Sequence, residues 1–378
     1  SGLISRAEAL RNIHVPKNTK MILEAKKRLK FEELFFLQLQ ILQLKKSRLK
    51  AFPGYVFKNN SFLNNFYKNH MPFDLTNAQK RVIKECYENM CSKKQMNRLI
   101  QGDVGSGKTI VSLISALNVI SSGFQVCIMS PTEILANQHY RLAKELFNND
   151  VTIEMLTSKT ERTRRNNIIK SLADNSLKLL IGTHSLFQEK IEYKKLGLII
   201  IDEQHKFGVK QRKKLSDKGG KDCDILVMSA TPIPRTMIMT VFGDMDTSII
   251  KSKPKNRKPI KTYSKLDTKL DEVIAFVKKN LSNGNQVFWV CPLIEESKKV
   301  DHQSSIKRFK DLNNIFKKKV GLLHGSLDKE EKNSILNDFL NKKIQILVST
   351  TVIEVGIDFP NANLIVIENA NKFGLAQL

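Results

Sequence analysis

The stretch "RLIQGDVGSGKTIVSLISALNVI" (Arg98 to Ile120) decides the architecture, because it changes character twice within a few residues. The apolar run "RLIQ" has the length of a buried strand, and "IVSLISALNVI" reads as a helix. Between them lies "GDVGSGKT" (Gly102 to Thr109). Strand, glycine-rich turn and helix in that order let backbone N–H groups point inward onto phosphate oxygens at a helix N-terminus. Gly102 and Gly107 permit the turn, Lys108 is placed to neutralise β- and γ-phosphates, and the Thr109 hydroxyl suits a magnesium ion.

Outward from this unit, short apolar runs alternate with helical patterns over 71–250: "NRLIQ", "QVCIMS", "LKLLIG", "LGLIII" and "DILVMS". That alternation predicts βαβ units and a parallel sheet. The prolines and charges of "KSKPKNRKPIK" (Lys251 to Lys261) then interrupt it and read as a linker. From 262 to 378 the alternation resumes with "QVFWVC", "VGLLHG", "IQILVS" and "NLIVIE", with an amphipathic helix over 327–342. Ahead of both lies a helical segment, 1–70, in which Pro16-Lys17-Asn18-Thr19 is a start signal and Leu34, Leu37, Ile41 and Leu44 recur at helical spacing. The expected class is α/β: two parallel-sheet domains of one architecture behind a helical packing segment.

The run "LGLIIIDEQHKFG" (Leu196 to Gly208) carries five apolar residues in its first six and then turns abruptly polar. In isolation it is an ordinary strand exit. A phosphate-binding loop, however, needs a second strand end that presents a carboxylate to the metal, and Asp202 fits that part. Glu203 beside it is suited to orient or deprotonate an attacking water.

Composition narrows the partner. Among 378 residues, 63 Lys and Arg stand against 37 Asp and Glu, a net charge of +26 that points to a polyanion, with nucleic acid ahead of membrane. No apolar run approaches the roughly 20 residues of a spanning helix. The five cysteines are scattered, which suits reduced thiols rather than a disulfide framework or a zinc site.

Further strand ends repeat the pattern: "SPTEILANQ", "GTHSLF" and "SATPIPRT" each deliver hydroxyls, amides or a basic side chain where a phosphate backbone could lie. The series running from "GDVGSGKT" through "DEQH" and "SAT" to "STTVIEVGIDFP" (Ser349 to Pro360) resembles superfamily 2 helicases. Within that superfamily, "DEQHKFGVKQR", "SATPIPRT", "WVCPLIEES" and "TTVIEVGIDFPNA" look like the RecG type, over nearly the whole chain. Transcription-repair coupling translocases share the "GDVG.GKT" and "TATPIPRT" types of element but usually differ at "WVCPLIEES".

The resemblance implies two RecA-like domains that clamp ATP and step along DNA, branched or forked duplex above all. It places Phe73 and Gln79 on adenine, Gly105, Ser106, Lys108 and Thr109 on phosphates and metal, and Gly356 and Asp358 on the nucleotide from the second domain. Asp202 and Glu203 become metal ligand and catalytic carboxylate. Gln204, His205, Ser229 and Thr231 would couple hydrolysis to movement, with His205 counted among the catalytic groups. Thr132, Thr183, His324 and Thr351 would lie on the DNA track. ATP and magnesium are the expected cofactors, a monomer the expected state, and the cytoplasm, at the nucleoid, the expected location.

Two elements of the family pattern are not visible: an oligonucleotide-binding wedge ahead of "EALRNIHVP" and an arginine-bearing motif after "GLAQL". A helicase core cut at both ends, with an incomplete second domain and reduced turnover, is the corresponding expectation. An RNA-dependent motor of the same superfamily and a nucleic-acid-binding module that holds ATP without turning it over remain the alternatives.

Overall fold

A computed structural model describes residues 2–51, 53–58, 61–69, 71–148, 150–188, 190–203, 220, 222–230, 245–252, 260–291, 298–317, 319–325, 327–349 and 359–373. The chain divides into two compact units, Ser1–Arg257 and Lys258–Leu378. Most of the expected linker, 253–259, lies outside the described residues.

Two helices packed against each other open the first unit. Helix α1 (Arg6–His14) starts on a capping box in which Ser5 accepts from the Glu8 N–H and Glu8 reaches back to the Ser5 N–H. Helix α2 (Thr19–Ala51) begins where Asn18 Oδ1 accepts from Met21 N–H, at the position of the start signal. Ala9 and Ala25 are fully buried, and their small side chains let two helices approach closely. Lys45 of α2 reaches Asp246 at 2.6 Å.

The sheet of this unit has seven strands, all parallel: β1 (Asn97–Gly102), β2 (Gln125–Met129), β3 (Ile153–Leu156), β4 (Leu179–Gly182), β5 (Leu196–Asp202), β6 (Asp224–Ser229) and β7 (Asp246–Ile250), in the order β3-β4-β2-β5-β6-β1-β7. Successive strand side chains point to opposite faces, and here both faces are apolar. Ile100, Val126, Ile128, Leu198, Ile200, Leu226 and Met228 join one core, while Leu99, Cys127, Met129, Ile199, Ile201 and Val227 join the other. The first core also takes Phe57 and Phe66, so these two side chains pack into the same body as the sheet.

Five of these strands coincide with the apolar runs. The other two, β3 and β7, are the sheet's edges, and Glu154 in the first and Asp246, Thr247 and Ser248 in the second leave no continuous apolar run to detect. Such edges satisfy one side of the ladder only, so their sequences are selected less for burial.

The second unit carries β8 (Gln286–Val290), β9 (Val320–Leu323), β10 (Ile346–Ser349) and β11 (Ala362–Ile367) in a parallel sheet ordered β11-β8-β10-β9. Its helices are α8 (Leu270–Ser282), α9 (Lys298–Phe316) and α10 (Lys329–Leu340), the last opened by an Asp328–Glu331 capping box. Trp289, Val287, Leu312, Phe316 and Val348 form its core. The expected α/β class with two parallel sheets therefore holds. All five cysteines are free thiols, and burial pushes Cys127 and Cys291 up to about 12. No described helix is long and apolar enough to cross a membrane.

Candidate functional site

Strand order assembles the site. Strands β5, β6 and β1 are neighbours, and their registers align Asp202 with Met228 and Gln101 with Ser229. The glycine loop, the "DE" pair and the "SA" pair therefore leave the same sheet edge side by side, at the carboxyl ends where open α/β sheets bind ligands.

Between β1 and helix α5 (Lys108–Ser121) the chain turns through left-handed residues, Gly105 at φ +73° and Gly107 at φ +87°. A side chain at Gly107 would strike the Gln79 amide at 2.2 Å, so glycine is required there by both conformation and space. Helix α4 (Asn77–Met90) starts on Thr76 and helix α6 (Glu133–Phe147) on Thr132, each with a hydroxyl that accepts a first-turn N–H. Helix α5 starts on Gly107, which has no side chain to offer, leaving its first-turn donors for an anion.

The Lys108 ammonium is buried and donates to the carbonyls of Gly102 (2.7 Å) and Asp103 (3.1 Å). Burial lowers its pKa, while the charges of Glu203, Asp202 and Asp103 oppose that shift. Ser106 is buried and its N–H donates to Asp103 at 3.1 Å. Thr109 is half-buried on the first turn of α5. Gln79, also buried, donates to Ser106 O at 2.9 Å and accepts from Thr76 N–H at 2.8 Å, so its amide bridges α4 to the loop. Phe73 lies nearby in sequence with its ring 45% exposed.

Asp202 ends β5 with Oδ2 2.8 Å from His139 Nε2 on α6, and both side chains are buried. Glu203 leaves the strand at φ +49°, a left-handed conformation uncommon for a residue with a side chain. Its N–H donates to Met228 O at 3.0 Å, and its Oε1 accepts the Ala230 N–H at 3.0 Å. The carboxylate is thereby pinned across the end of β6, beside buried Ser229.

Thr132 and Thr183 follow β2 and β4 on the other half of the same edge. Thr132 Oγ1 caps α6 by accepting Leu135 N–H at 3.3 Å. Thr183 is buried and opens a short 3-10 turn, His184–Phe187. In the second unit, His324 follows β9 and is half-buried. Gln204, His205, Thr231, Thr351, Gly356 and Asp358 lie outside the described residues. Two contacts had no signal in the sequence: His139 against Asp202, and the Ala230 N–H against Glu203. Each joins groups far apart along the chain.

The donor set fits magnesium. A hydroxyl and a carboxylate are hard oxygen ligands, and Mg2+ is usually held by one or two carboxylates plus substrate phosphates rather than by a protein cage.

Residues 76–240 match the DEAD/DEAH box helicase family and residues 268–377 the helicase conserved C-terminal domain. The chain is 46% identical over 98% of its length to a Bacillus subtilis (strain 168) protein named ATP-dependent DNA helicase RecG. Over its whole length the chain is similar to RecG helicases. A Thermotoga maritima RecG helicase is 45% identical across all of it. A solved structure of RecG bound to a three-way DNA junction superposes over 100% of the chain with a TM-score of 0.86 and 41% identity. A Mycobacterium smegmatis Lhr helicase, 18% identical with a TM-score of 0.57, shares the fold. The chain spans about half the length of the RecG relatives it matches: 55% of the Bacillus protein, 48% of the Thermotoga protein and 50% of the solved chain.

Proposed function

We propose that this chain is the motor core of an ATP-driven DNA helicase that acts on branched or forked duplexes in replication-fork rescue and recombination repair. One observation carries the reading: the glycine loop, Asp202–Glu203 and Ser229–Ala230 converge on three adjacent strand ends. RecG relatives that match over the whole chain support the choice of DNA.

The residues divide the work. Gly102, Gly105, Ser106 and Gly107 shape the loop that receives the phosphates, and Lys108 neutralises them. Phe73 stacks on adenine, and Gln79 links the base to the loop through its bond to Ser106. Thr109 and Asp202 would hold magnesium, which would supply charge neutralisation at the phosphates. Glu203 accepts a proton from the attacking water or orients it. Its bond to the Ala230 N–H makes β6 the natural relay, so Ser229 and Thr231, with Gln204 and His205, transmit turnover to movement. Thr132, Thr183, His324 and Thr351 would track the DNA backbone, and Gly356 and Asp358 would contact the nucleotide. The setting is the cytoplasm, at the nucleoid.

The test measures ATP hydrolysis by the full-length protein with forked DNA, linear duplex DNA and structured RNA at equal nucleotide concentration. Forked DNA is expected to stimulate most. RNA stimulation equal to or above that of forked DNA would overturn the assignment of the substrate.

A further inference from the structure

Helix α6 places His139 one turn beyond Leu135 and one turn before Ala143, so its ring lies on the buried face of the helix. There its Nε2 is 2.8 Å from Asp202 Oδ2. A carboxylate only accepts, so the ring nitrogen in this bond carries the hydrogen. We propose that His139 is a positioning residue for nucleotide hydrolysis: it fixes the Asp202 carboxylate so that its other oxygen faces the magnesium site.

The need for such a group follows from torsional freedom. The terminal torsion of an aspartate is broad and roughly two-fold, so a carboxylate at a strand end is not oriented by its backbone alone. Asp202 is the last residue of β5, and the chain leaves the strand at Glu203 in a left-handed turn. Strand pairing ends there too, with Asp202 opposite Met228. The bond from α6 supplies the restraint that the strand does not. An outer partner of this kind usually changes metal affinity or activity by about 10–100-fold when removed.

A buried histidine satisfied by a carboxylate could instead serve packing alone. The two roles differ in what they predict. A packing role affects stability and all ligands alike, whereas a positioning role affects the magnesium-dependent part of nucleotide binding.

The inference rests on the reading of this site as an ATP site, and the experiment separates the two. Full-length wild type, His139→Leu and His139→Gln are titrated with a fluorescent ATP analogue in magnesium and in EDTA, and kcat and KM are measured for DNA-stimulated hydrolysis. In His139→Leu the affinity gained from magnesium should fall by about tenfold or more, with affinity in EDTA changed by less than about twofold and kcat reduced. His139→Gln, whose amide can donate to Asp202, should recover most of the gain. An unchanged magnesium gain in His139→Leu, an equal loss in both buffers, or a glutamine variant no better than leucine would overturn the proposal. Wild type that binds no analogue in either buffer would instead overturn the nucleotide site itself.

Discussion

Glu203 shows how much of this site is held by tertiary contacts rather than by local preference. A non-glycine residue in a sparsely populated backbone region costs on the order of 1–3 kcal/mol and persists only where its surroundings over-determine it. Here the backbone bond to Met228 and the side-chain bond to Ala230 do so. Lys108, Asp202 and Glu203 were legible in the sequence because their meaning lies in short local strings. His139 was not, because its partner is 63 positions away and only the fold brings them together. Asp224 was equally hidden. It is fully buried at the start of β6, accepts the Met96 N–H at 2.7 Å, and burial raises its pKa well above the ordinary carboxylate value. The folded state therefore favours the neutral acid. Its stabilising contribution is complete below the ordinary carboxylate pKa and is lost as pH rises toward the raised value. Asp224→Asn removes that titration. Urea unfolding of both proteins at several pH values from 4 upward should show wild type losing stability relative to the variant as pH rises, and parallel curves would refute the assignment.

At the scale of elements, α5 explains why the phosphate loop can be stiff. Thirteen of its fourteen residues are buried, so the helix is clasped on all sides by the first core. Its buried Ser112, Ser115 and Ser121 hydroxyls donate to carbonyls of the same helix, so they are satisfied inside the core. Leu113 is fully buried there, and Leu113→Ala should destabilise the protein by about 2–5 kcal/mol, read as a lower denaturation midpoint in urea. A change below about 1 kcal/mol would mean the core around α5 is loose. The same scale shows what apolar periodicity can and cannot reveal. All four strands of the second unit and five of the first announce themselves as runs. The edge strands β3 and β7 do not, since Glu154 interrupts the first and Asp246, Thr247 and Ser248 leave the second only two apolar residues.

For the whole molecule the dominant physical quantity is charge. A net charge of +26 sets a strong long-range attraction for a polyanion. If the track contacts backbone phosphates, log affinity for DNA should fall linearly with log salt, by about 0.7–0.9 for each phosphate neutralised, and unrelated sequences of equal shape should bind alike. Fluorescence anisotropy with a labelled fork across a salt series measures this. Salt-independent binding would contradict a backbone-tracking motor.

The central claim is that the ends of β1, β5 and β6 form one hydrolytic site whose turnover depends on Glu203. Glu203→Gln tests it most directly, because the amide keeps the oxygen that accepts the Ala230 N–H and loses only the charge and basicity. DNA-stimulated ATP hydrolysis should be measured in the full-length protein, wild type and variant, alongside ATP affinity in magnesium. The account predicts ATP binding close to wild type, with hydrolysis reduced by about 10²–10⁴-fold, the span typical of a lost general base. Hydrolysis at the wild-type rate in the variant would contradict it.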